Sequence, residues 1–125
     1  MLNFNSILLF SEDPKKLADF YKKILNVDSN MDEGDYFGFL VGNGYITIGL
    51  HDKVKGKNKN PERIMFNLET ENVEDEYKRI EKLGAKVIAK PYHPMEDSDY
   101  SIATFEDPDG NYFQLVTPWD YEEKN

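Results

Sequence analysis

The sequence contains few side chains that could carry out catalysis or bind a metal ion. It has two histidines and no cysteine, so a thiol nucleophile, a disulfide framework and a cysteine-ligated metal are excluded. No serine lies in a nucleophile-elbow context, and no glycine-rich phosphate loop is present. Asp107, Asp109 and Gly110 are arranged like part of a calcium loop, but the segment is too short for one, and turn chemistry explains these residues better.

The two histidines are the only imidazoles that could coordinate a metal. His51 ends an apolar segment, where an exposed or hydrogen-bonded histidine is the more ordinary interpretation. A shifted strand register would instead bring His51 into a binding site. His93 lies in a loop with Glu96 and Asp97, but no helical or strand spacing aligns these three residues. We therefore interpret this segment as an acidic loop.

Two amphipathic helices are expected to position any site. Asp13 is a good N-cap for the first helix, and Pro14 fits its first position. The second helix is expected to begin near Asn72 and to stop at Gly84, which can adopt the left-handed conformation. Each helix carries an apolar stripe at helical spacing. The stripes are Leu17, Phe20, Tyr21 and Leu25 in the first helix, and Val73, Tyr77, Ile80 and Leu83 in the second.

Strands are expected on both sides of each helix. Gly42-Asn43-Gly44 predicts a hairpin, and the segment from Asp107 to Asn111 predicts a turn. The expected strands are residues 4–10, 36–41, 45–50, 63–68, 86–90, 99–106 and 112–117, with a short one within 27–32. The order strand, helix, then about three strands therefore occurs twice.

This repeat predicts an α+β fold in which two βαβββ modules form a curved mixed sheet around a pocket. The modules are expected at about 1–52 and 62–119 within a single domain of 1–125. The lysine-rich segment 53–61 has no apolar period and is expected to be the linker. The charged tail after Trp119 is expected to fray.

Alternation along four strands separates an apolar face from a mixed one, because successive side chains point to opposite faces. The apolar face is expected to pack under the helices and consists of Ile7, Leu9, Ile46, Ile48, Leu50, Ile64, Phe66, Leu68, Phe113 and Leu115. The other face consists of Ser6, Leu8, Phe10, Thr47, Gly49, His51, Arg63, Met65, Asn67, Tyr112, Gln114 and Val116. Such a face can meet solvent, but its mixture of aromatic and polar groups favours a small-molecule cavity.

Three segments carry a family resemblance: the run from Ile7 to Asp13, the strand from Ile64 to Leu68, and the turn and strand from Asp107 to Leu115. Together they resemble the vicinal oxygen chelate superfamily, which includes glyoxalase I, extradiol dioxygenases, and fosfomycin and bleomycin resistance proteins. The resemblance covers nearly the whole chain. The Asp-Pro-Asp-Gly-Asn turn before the last strand is its most specific part.

The resemblance implies where a metal would be held. Enzymes of this superfamily place one ligand, usually His, Glu or Gln, on each of four strands, and those positions correspond here to Ser6, Gly49, Arg63 and Gln114. Arg63 has no lone pair to donate, Gly49 has no side chain, and Ser6 is a poor ligand when neutral. Gln114 alone cannot hold zinc, iron or manganese. We therefore expect no metal site and no cofactor.

Besides a regulatory or scaffolding role, which the fold does not exclude, two specific functions remain open. The first is a metal-free protein that binds a small anionic or aromatic molecule, such as a drug or toxin that it sequesters. Arg63 would then be the cation of the cavity, unless it only pairs with a carboxylate such as Glu62. The second is a metal-dependent lyase, isomerase or dioxygenase that uses His51, Gln114 and acidic groups. The expected ligand-binding residues are Ser6, Thr47, Gly49, His51, Arg63, Asn67, Tyr112 and Gln114.

The charge balance constrains partners. The chain of 125 residues has 15 basic and 24 acidic residues, a net charge of −9, which disfavours nucleic acids and anionic membrane surfaces. No apolar run is long enough to be a membrane span, and the first residues lack the basic and apolar regions of a signal peptide. We expect a cytoplasmic homodimer.

Overall fold

A computed structural model describes residues 1–119; the charged tail that was expected to fray lies outside the described residues. Two compact units divide the chain between Asn58 and Lys59. The first unit contains β1 (Ser6–Ser11), α1 (Pro14–Leu25), β2 (Met31–Asp32), β3 (Tyr36–Val41) and β4 (Gly44–Leu50). The second contains β5 (Phe66–Glu69), α2 (Val73–Lys82), β6 (Lys86–Tyr92), β7 (Ile102–Glu106) and β8 (Tyr112–Val116).

Each unit contains one four-stranded mixed sheet. The strand orders are β1-β4-β3-β2 and β5-β8-β7-β6. The strand before each helix pairs in parallel with the last strand of its unit, and the other neighbours are antiparallel. The predicted α+β class and the two βαβββ modules are confirmed.

Both helices begin where their caps predict. The side chain of Asp13 accepts a hydrogen bond from the backbone N–H of Lys16 at 3.2 Å, and that of Asn72 accepts one from Asp75 at 3.1 Å. These bonds satisfy backbone donors that have no partner inside the helix. Gly84 follows α2 with a φ of 96°, which only glycine adopts readily.

The helix stripes form most of the two cores. In α1, Leu17 and Tyr21 are fully buried, together with Pro14, Ala18 and Ile24. In α2, Val73, Tyr77 and Ile80 are buried, and the ring of Tyr77 packs against Phe105 with centroids 5.5 Å apart. Below the helices, the buried strand residues include Phe37, Phe39, Ile46, Ile48, Ala103, Phe113 and Leu115.

Three residues that were expected in the apolar seam are exposed instead. Leu83 is the C-cap of α2, one residue beyond the helix, and is 50% exposed. Leu50 is the last residue of β4 and is 40% exposed. Ile64 is 71% exposed because β5 begins at Phe66, so Ile64 lies in the preceding turn. Ile7, Leu9, Phe66 and Leu68 are half-buried because β1 and β5 are edge strands.

Both predicted turns are present. Gly42 and Asn43 join β3 to β4 with Val41 paired to Gly44, which leaves a two-residue hairpin loop. In the second turn, the buried carboxylate of Asp107 accepts hydrogen bonds from the backbone N–H groups of Asp109 and Asn111, both at 2.9 Å. Neither helix in residues 1–119 is long and apolar enough to cross a membrane.

Candidate functional site

Each sheet has one face under its own helix and an opposite face, called here the distal face. Cross-strand partners share a face, so the strand registers define its members. The distal face of the first sheet includes Ser6, Leu8, Phe10, Tyr36, Gly38, Leu40, Tyr45, Thr47 and Gly49. The distal face of the second sheet includes Asn67, Glu69, Lys86, Ala89, Ile102, Thr104, Glu106, Tyr112, Gln114 and Val116.

Two tyrosine rings lie against glycines on the distal face of the first sheet. Tyr36 and Gly49 are cross-strand partners, and a Cβ atom placed on Gly49 would lie 2.5 Å from ring atom Cε1 of Tyr36. A Cβ atom on Gly38 would likewise collide with the ring and hydroxyl of Tyr45. Both glycines are buried, and the rings occupy the space in which their side chains would project.

Exposed apolar groups share this face. Leu8 is 55% exposed, Leu40 is 53% exposed, and Tyr36 is 42% exposed. The hydroxyl of Tyr36 donates to the carbonyl oxygen of Leu50 at 3.3 Å, which fixes the edge of the ring. Thr47, half-buried, lies between Leu8 and Gly38 in the register and supplies a hydroxyl among these apolar groups.

His51 follows the end of β4 and contacts this face through Phe10. The two rings meet edge to face with centroids 5.1 Å apart. Nδ1 of His51 accepts a hydrogen bond from the backbone N–H of Lys53 at 3.1 Å, so the neutral ring carries its proton on Nε2. Coordination of a metal through Nε2 would require the proton to move to Nδ1 and would break this bond.

Two rows of polar side chains cross the distal face of the second sheet. In the first row, Asn67 is exposed beside Gln114, and the side-chain amide of Gln114 donates to the hydroxyl of Thr104 at 3.0 Å. In the second row, Tyr112 is the cross-strand partner of Glu106. The carboxylate of Glu106 lies 3.6 Å from the ammonium group of Lys86.

Arg63 does not lie on a strand. It occupies the turn before β5, its backbone N–H donates to the carbonyl of Asn60 at 3.1 Å, and its side chain is exposed. The expectation that Arg63 begins a strand is wrong, because the pairing of β5 with β8 extends only from Phe66 to Glu69. Its role in ligand binding stays a prediction.

His93 forms a local network in the loop between β6 and β7. Its Nδ1 lies 3.1 Å from the carbonyl oxygen of Tyr100 and 3.2 Å from the hydroxyl of Ser101. The hydroxyl of Ser101 donates to the carbonyl of Asp99 at 3.2 Å. Because a carbonyl only accepts, Nδ1 is the donor in the bond to Tyr100. The side chain of His93 therefore links the beginning of the loop to its end.

The residues at the positions that the resemblance assigns to metal ligands do not fit a metal. Gly49 offers no donor, and Tyr36 fills the space beside it. Arg63 is an exposed cation, and Gln114, whose NH₂ group donates to Thr104, offers a single carbonyl oxygen, which cannot hold a metal alone. Throughout residues 1–119, no group of three His, Cys, Asp or Glu side chains is arranged to hold a metal ion.

The structure gathers most predicted site residues into two groups. Ser6, Thr47 and Gly49 share one distal face, and Asn67, Tyr112 and Gln114 share the other. Tyr36, Thr104 and Glu106 also lie on these faces, and the sequence did not single them out as site residues. Alternation within residues 102–106 would have placed Thr104 and Glu106 together, but it does not reveal which strands they neighbour.

The fold and these faces define a known class of protein. The chain belongs to the glyoxalase/bleomycin resistance protein/dioxygenase superfamily, whose family model matches residues 3–115. The genomically encoded fosfomycin resistance protein FosX from Listeria monocytogenes is 25% identical, with a TM-score of 0.72 over 100% of this chain and 99% of that chain.

More distant solved structures share the fold. A glyoxalase/bleomycin resistance protein/dioxygenase family enzyme from Burkholderia phytofirmans is 17% identical, with a TM-score of 0.71 over 90% of this chain and 96% of that chain. A structure described as a conserved domain protein is 19% identical, with a TM-score of 0.78 over 94% of this chain and 100% of that chain. No protein with a curated description matches this chain.

Proposed function

We propose that this protein binds a small organic molecule on the distal faces of its sheets and does so without a metal ion. The observation that carries the proposal is the mixed character of these faces. On the first sheet, exposed leucines and the ring of Tyr36 share a face with the hydroxyl of Thr47. On the second sheet, the ring of Tyr112 shares a face with the Gln114–Thr104 pair. Each face by itself therefore offers both apolar contact and hydrogen-bonding groups, which ligand sites combine.

The ligand-binding role is assigned to the residues of the distal faces. Thr47 and Ser6 would serve the first sheet, and Asn67, Tyr112 and Gln114 the second. His51 would contribute through its contact with Phe10. The similarity to a fosfomycin resistance protein supports a drug or toxin as the bound molecule, and sequestration of that molecule is part of our proposal. Cytoplasmic residence belongs to the same proposal.

The alternative function is a metal-dependent lyase, isomerase or dioxygenase with an unusual ligand set. Membership of a superfamily that includes dioxygenases favours it. Its donors would be His51, Gln114 and acidic groups. The hydrogen bond that His51 accepts from Lys53 opposes this role, because the neutral ring then keeps a proton on its other nitrogen.

Elemental analysis separates the two functions. The protein is purified without an affinity tag, dialysed, and measured for transition metals together with its thermal stability before and after chelation. We expect a substoichiometric metal content and an unchanged melting temperature. A stoichiometric transition metal whose removal lowers the melting temperature would overturn the metal-free proposal.

Blocking variants then test the binding faces. Thr47→Trp and Asn67→Trp place a large ring on the first and second distal faces, and Lys23→Trp places the same ring on the exposed surface of α1. Binding of fosfomycin and of small aromatic amines, acids and alcohols is followed by NMR titration. We expect Thr47→Trp or Asn67→Trp to weaken the binding of a probe, and Lys23→Trp to leave that binding unchanged. If all three variants bind the probes equally, the distal faces are not the site.

A further inference from the structure

The three longer strands of the first sheet carry only uncharged side chains on their distal face. Cross-strand pairing arranges nine residues there in three rows, with one residue of each row on β1, one on β4 and one on β3. The rows are Ser6, Tyr45 and Leu40; Leu8, Thr47 and Gly38; and Phe10, Gly49 and Tyr36. Charged residues make up 31% of the whole chain, so these rows differ from the average surface. Exposed apolar groups gathered on one face mark interaction sites.

The side chain of Tyr36 lies along the sheet, whereas a strand side chain normally stands away from it. Its hydroxyl reaches across to the neighbouring strand and donates to the carbonyl oxygen of Leu50 at 3.3 Å. The ring edge formed by Cδ1 and Cε1 lies against Gly49. Both ends of the ring are therefore held at the surface of the sheet. Tyr36 is 42% exposed, so the part of the ring that turns away from the strands is open to a ligand.

Tyr45 also lies across to the neighbouring strand, and its hydroxyl end is placed over Gly38. Gly38 is the cross-strand partner of Thr47, and direct partners on one face have Cβ positions about 5 Å apart. The hydroxyls of Tyr45 and Thr47 are therefore neighbours in the middle row. They supply hydrogen-bonding groups one row away from the ring of Tyr36.

The dimensions and charge of this surface define the ligand. Neighbouring rows are two residues apart along a strand, or about 6.8 Å, so a molecule that covers Tyr36 and reaches the two hydroxyls has the length of two fused rings. A flat aromatic molecule packs well against an aromatic side chain, in offset-stacked or edge-to-face geometry. A charged group would lose water here without an opposite charge in the rows to replace it. Leu8 and Leu40, both exposed, add apolar contact at the sides.

We propose that the distal face of the first sheet binds a neutral, bicyclic aromatic molecule. Its rings pack on Tyr36, and a polar substituent bonds to the hydroxyls of Tyr45 and Thr47. The proposal rests on the function proposed above and adds the class of ligand, which differs from the anionic ligand that the sequence suggested through Arg63. A small molecule fits this face better than a second copy of the chain, because the tyrosine rings lie along the sheet and leave its middle lower than the upright leucines.

Three probes of similar size, all substituted at the same ring carbon, test the proposal. Naphthalenemethanol is planar and neutral, decalinmethanol is its saturated and puckered counterpart, and naphthoate is planar and anionic. Each is titrated into ¹⁵N-labelled full-length protein, and the backbone signals of β3 and β4 are followed. We expect naphthalenemethanol to shift these signals at about fivefold lower concentration than decalinmethanol. Naphthoate is expected to bind most weakly.

Matched variants identify the residues responsible, and the ¹⁵N spectrum of each variant shows whether it is folded. Tyr36→Leu keeps an apolar side chain and removes the ring, so we expect it to weaken naphthalenemethanol binding about fivefold and to leave decalinmethanol binding unchanged. Tyr36→Phe keeps the ring and is expected to retain most of the binding. Thr47→Val keeps the shape, removes the hydroxyl and is expected to weaken both alcohols about fivefold. Tyr92→Leu removes an exposed ring from the second unit and is expected to change neither.

The outcomes separate this proposal from the one on which it rests. If decalinmethanol binds as tightly as naphthalenemethanol, if Tyr36→Leu and Tyr92→Leu behave alike, or if the probes shift only signals of β7 and β8, the aromatic proposal is wrong and binding at a distal face stands. If naphthoate binds best and Arg63→Ala weakens it, the anionic ligand replaces the neutral one. If the β3 and β4 signals change on dilution of the protein and no probe shifts them, a second copy covers this face and the aromatic proposal is wrong. If no probe shifts any signal of either distal face up to its solubility limit, the proposed function fails with the aromatic proposal.

Discussion

The ring of Tyr36 lies over Gly49, its cross-strand partner, and fills the space that a side chain at residue 49 would need. The resemblance to the superfamily's metal enzymes assigns a ligand position to residue 49. A coordinating side chain there and the ring of Tyr36 would exclude each other, because both need the same space. The distal face carries an aromatic ring at this position instead.

The first prediction tests this pair by substitution. Gly49→Ala is expected to lower the free energy of unfolding by about 1–3 kcal/mol, because its Cβ would force the ring aside. In a Tyr36→Ala background the same substitution is expected to cost clearly less, since the obstructing ring is gone. Urea denaturation of the four proteins in this cycle measures the coupling.

Gly44→Ala is the control for that cycle. A Cβ atom on Gly44 has only the carbonyl oxygen of Val41 nearby, at 3.6 Å, which is ordinary contact. We expect a change within about 0.5 kcal/mol. Equal costs for Gly49→Ala with and without the Tyr36 ring would show that the ring does not occupy this space.

The second prediction concerns the core of the second unit. The ring of Phe113 is fully buried and stacks between Phe66 and Phe105, with centroid separations of 6.0 and 5.6 Å. Phe113→Ala is expected to cost about 3–5 kcal/mol of unfolding free energy. Phe66→Ala is expected to cost less, because β5 is an edge strand and its ring is half-buried.

Chemical denaturation measures both core variants against Ile64→Ala. Like the two phenylalanines, Ile64 is a large apolar residue, but it is 71% exposed. Its truncation is therefore expected to change the free energy of unfolding by less than about 0.5 kcal/mol. A large loss for Ile64→Ala would contradict the position of the turn that precedes β5.

Features set by neighbouring residues could be predicted from the sequence. The N-caps Asp13 and Asn72, the left-handed Gly84 and the hairpin at Gly42 all depend on interactions within a few residues. The helix stripes were predictable for the same reason, because their period is local. These elements, together with the turn at Asp107, were enough to predict the two modules.

Features set by distant residues could not be predicted in the same way. The start of β5 depends on how far β8 extends beside it, so Arg63 and Ile64 were assigned to a strand although they lie in a turn. The covering of Gly49 by Tyr36 depends on the register of β3 and β4. The weak pairing of Glu106 with Lys86 likewise appears only when β6 and β7 are in place.

The third prediction is a homodimer, which is supported by the exposed apolar residues in and before the edge strand β1. β1 is an edge strand of its sheet, and edge strands offer unpaired backbone groups to a second chain. The residues that lead into β1 include Leu2 and Phe4, which are 100% and 89% exposed, and Leu8 within it is 55% exposed. Sedimentation velocity at micromolar concentration is expected to show a species of twice the 14.6 kDa chain mass.

Charge placed at that edge should dissociate the dimer. Phe4→Asp is expected to shift the protein towards the single-chain mass, whereas Lys23→Asp on the exposed surface of α1 should leave the dimer intact. If the unmodified protein sediments only as a 14.6 kDa species, the dimer prediction is wrong.

The last prediction is a loss of stability at alkaline pH that depends on Tyr77. Burial of the Tyr77 hydroxyl and its 3.2 Å hydrogen bond to the carboxylate of Glu81 raise the pKa of this phenol above its ordinary value of 10.0. The folded protein therefore holds the phenolic proton more tightly than the unfolded chain does. Stability from this group is fully present below pH 10.0 and falls as the pH rises from there towards the folded-state pKa. Thermal or urea unfolding between pH 8 and pH 11 measures how steeply the free energy of unfolding falls with pH. This fall is expected to be shallower in Tyr77→Phe. The control is Tyr92→Phe, which makes the same change at an exposed tyrosine. The same slope in Tyr77→Phe and the unmodified protein would mean that other groups account for the alkaline loss.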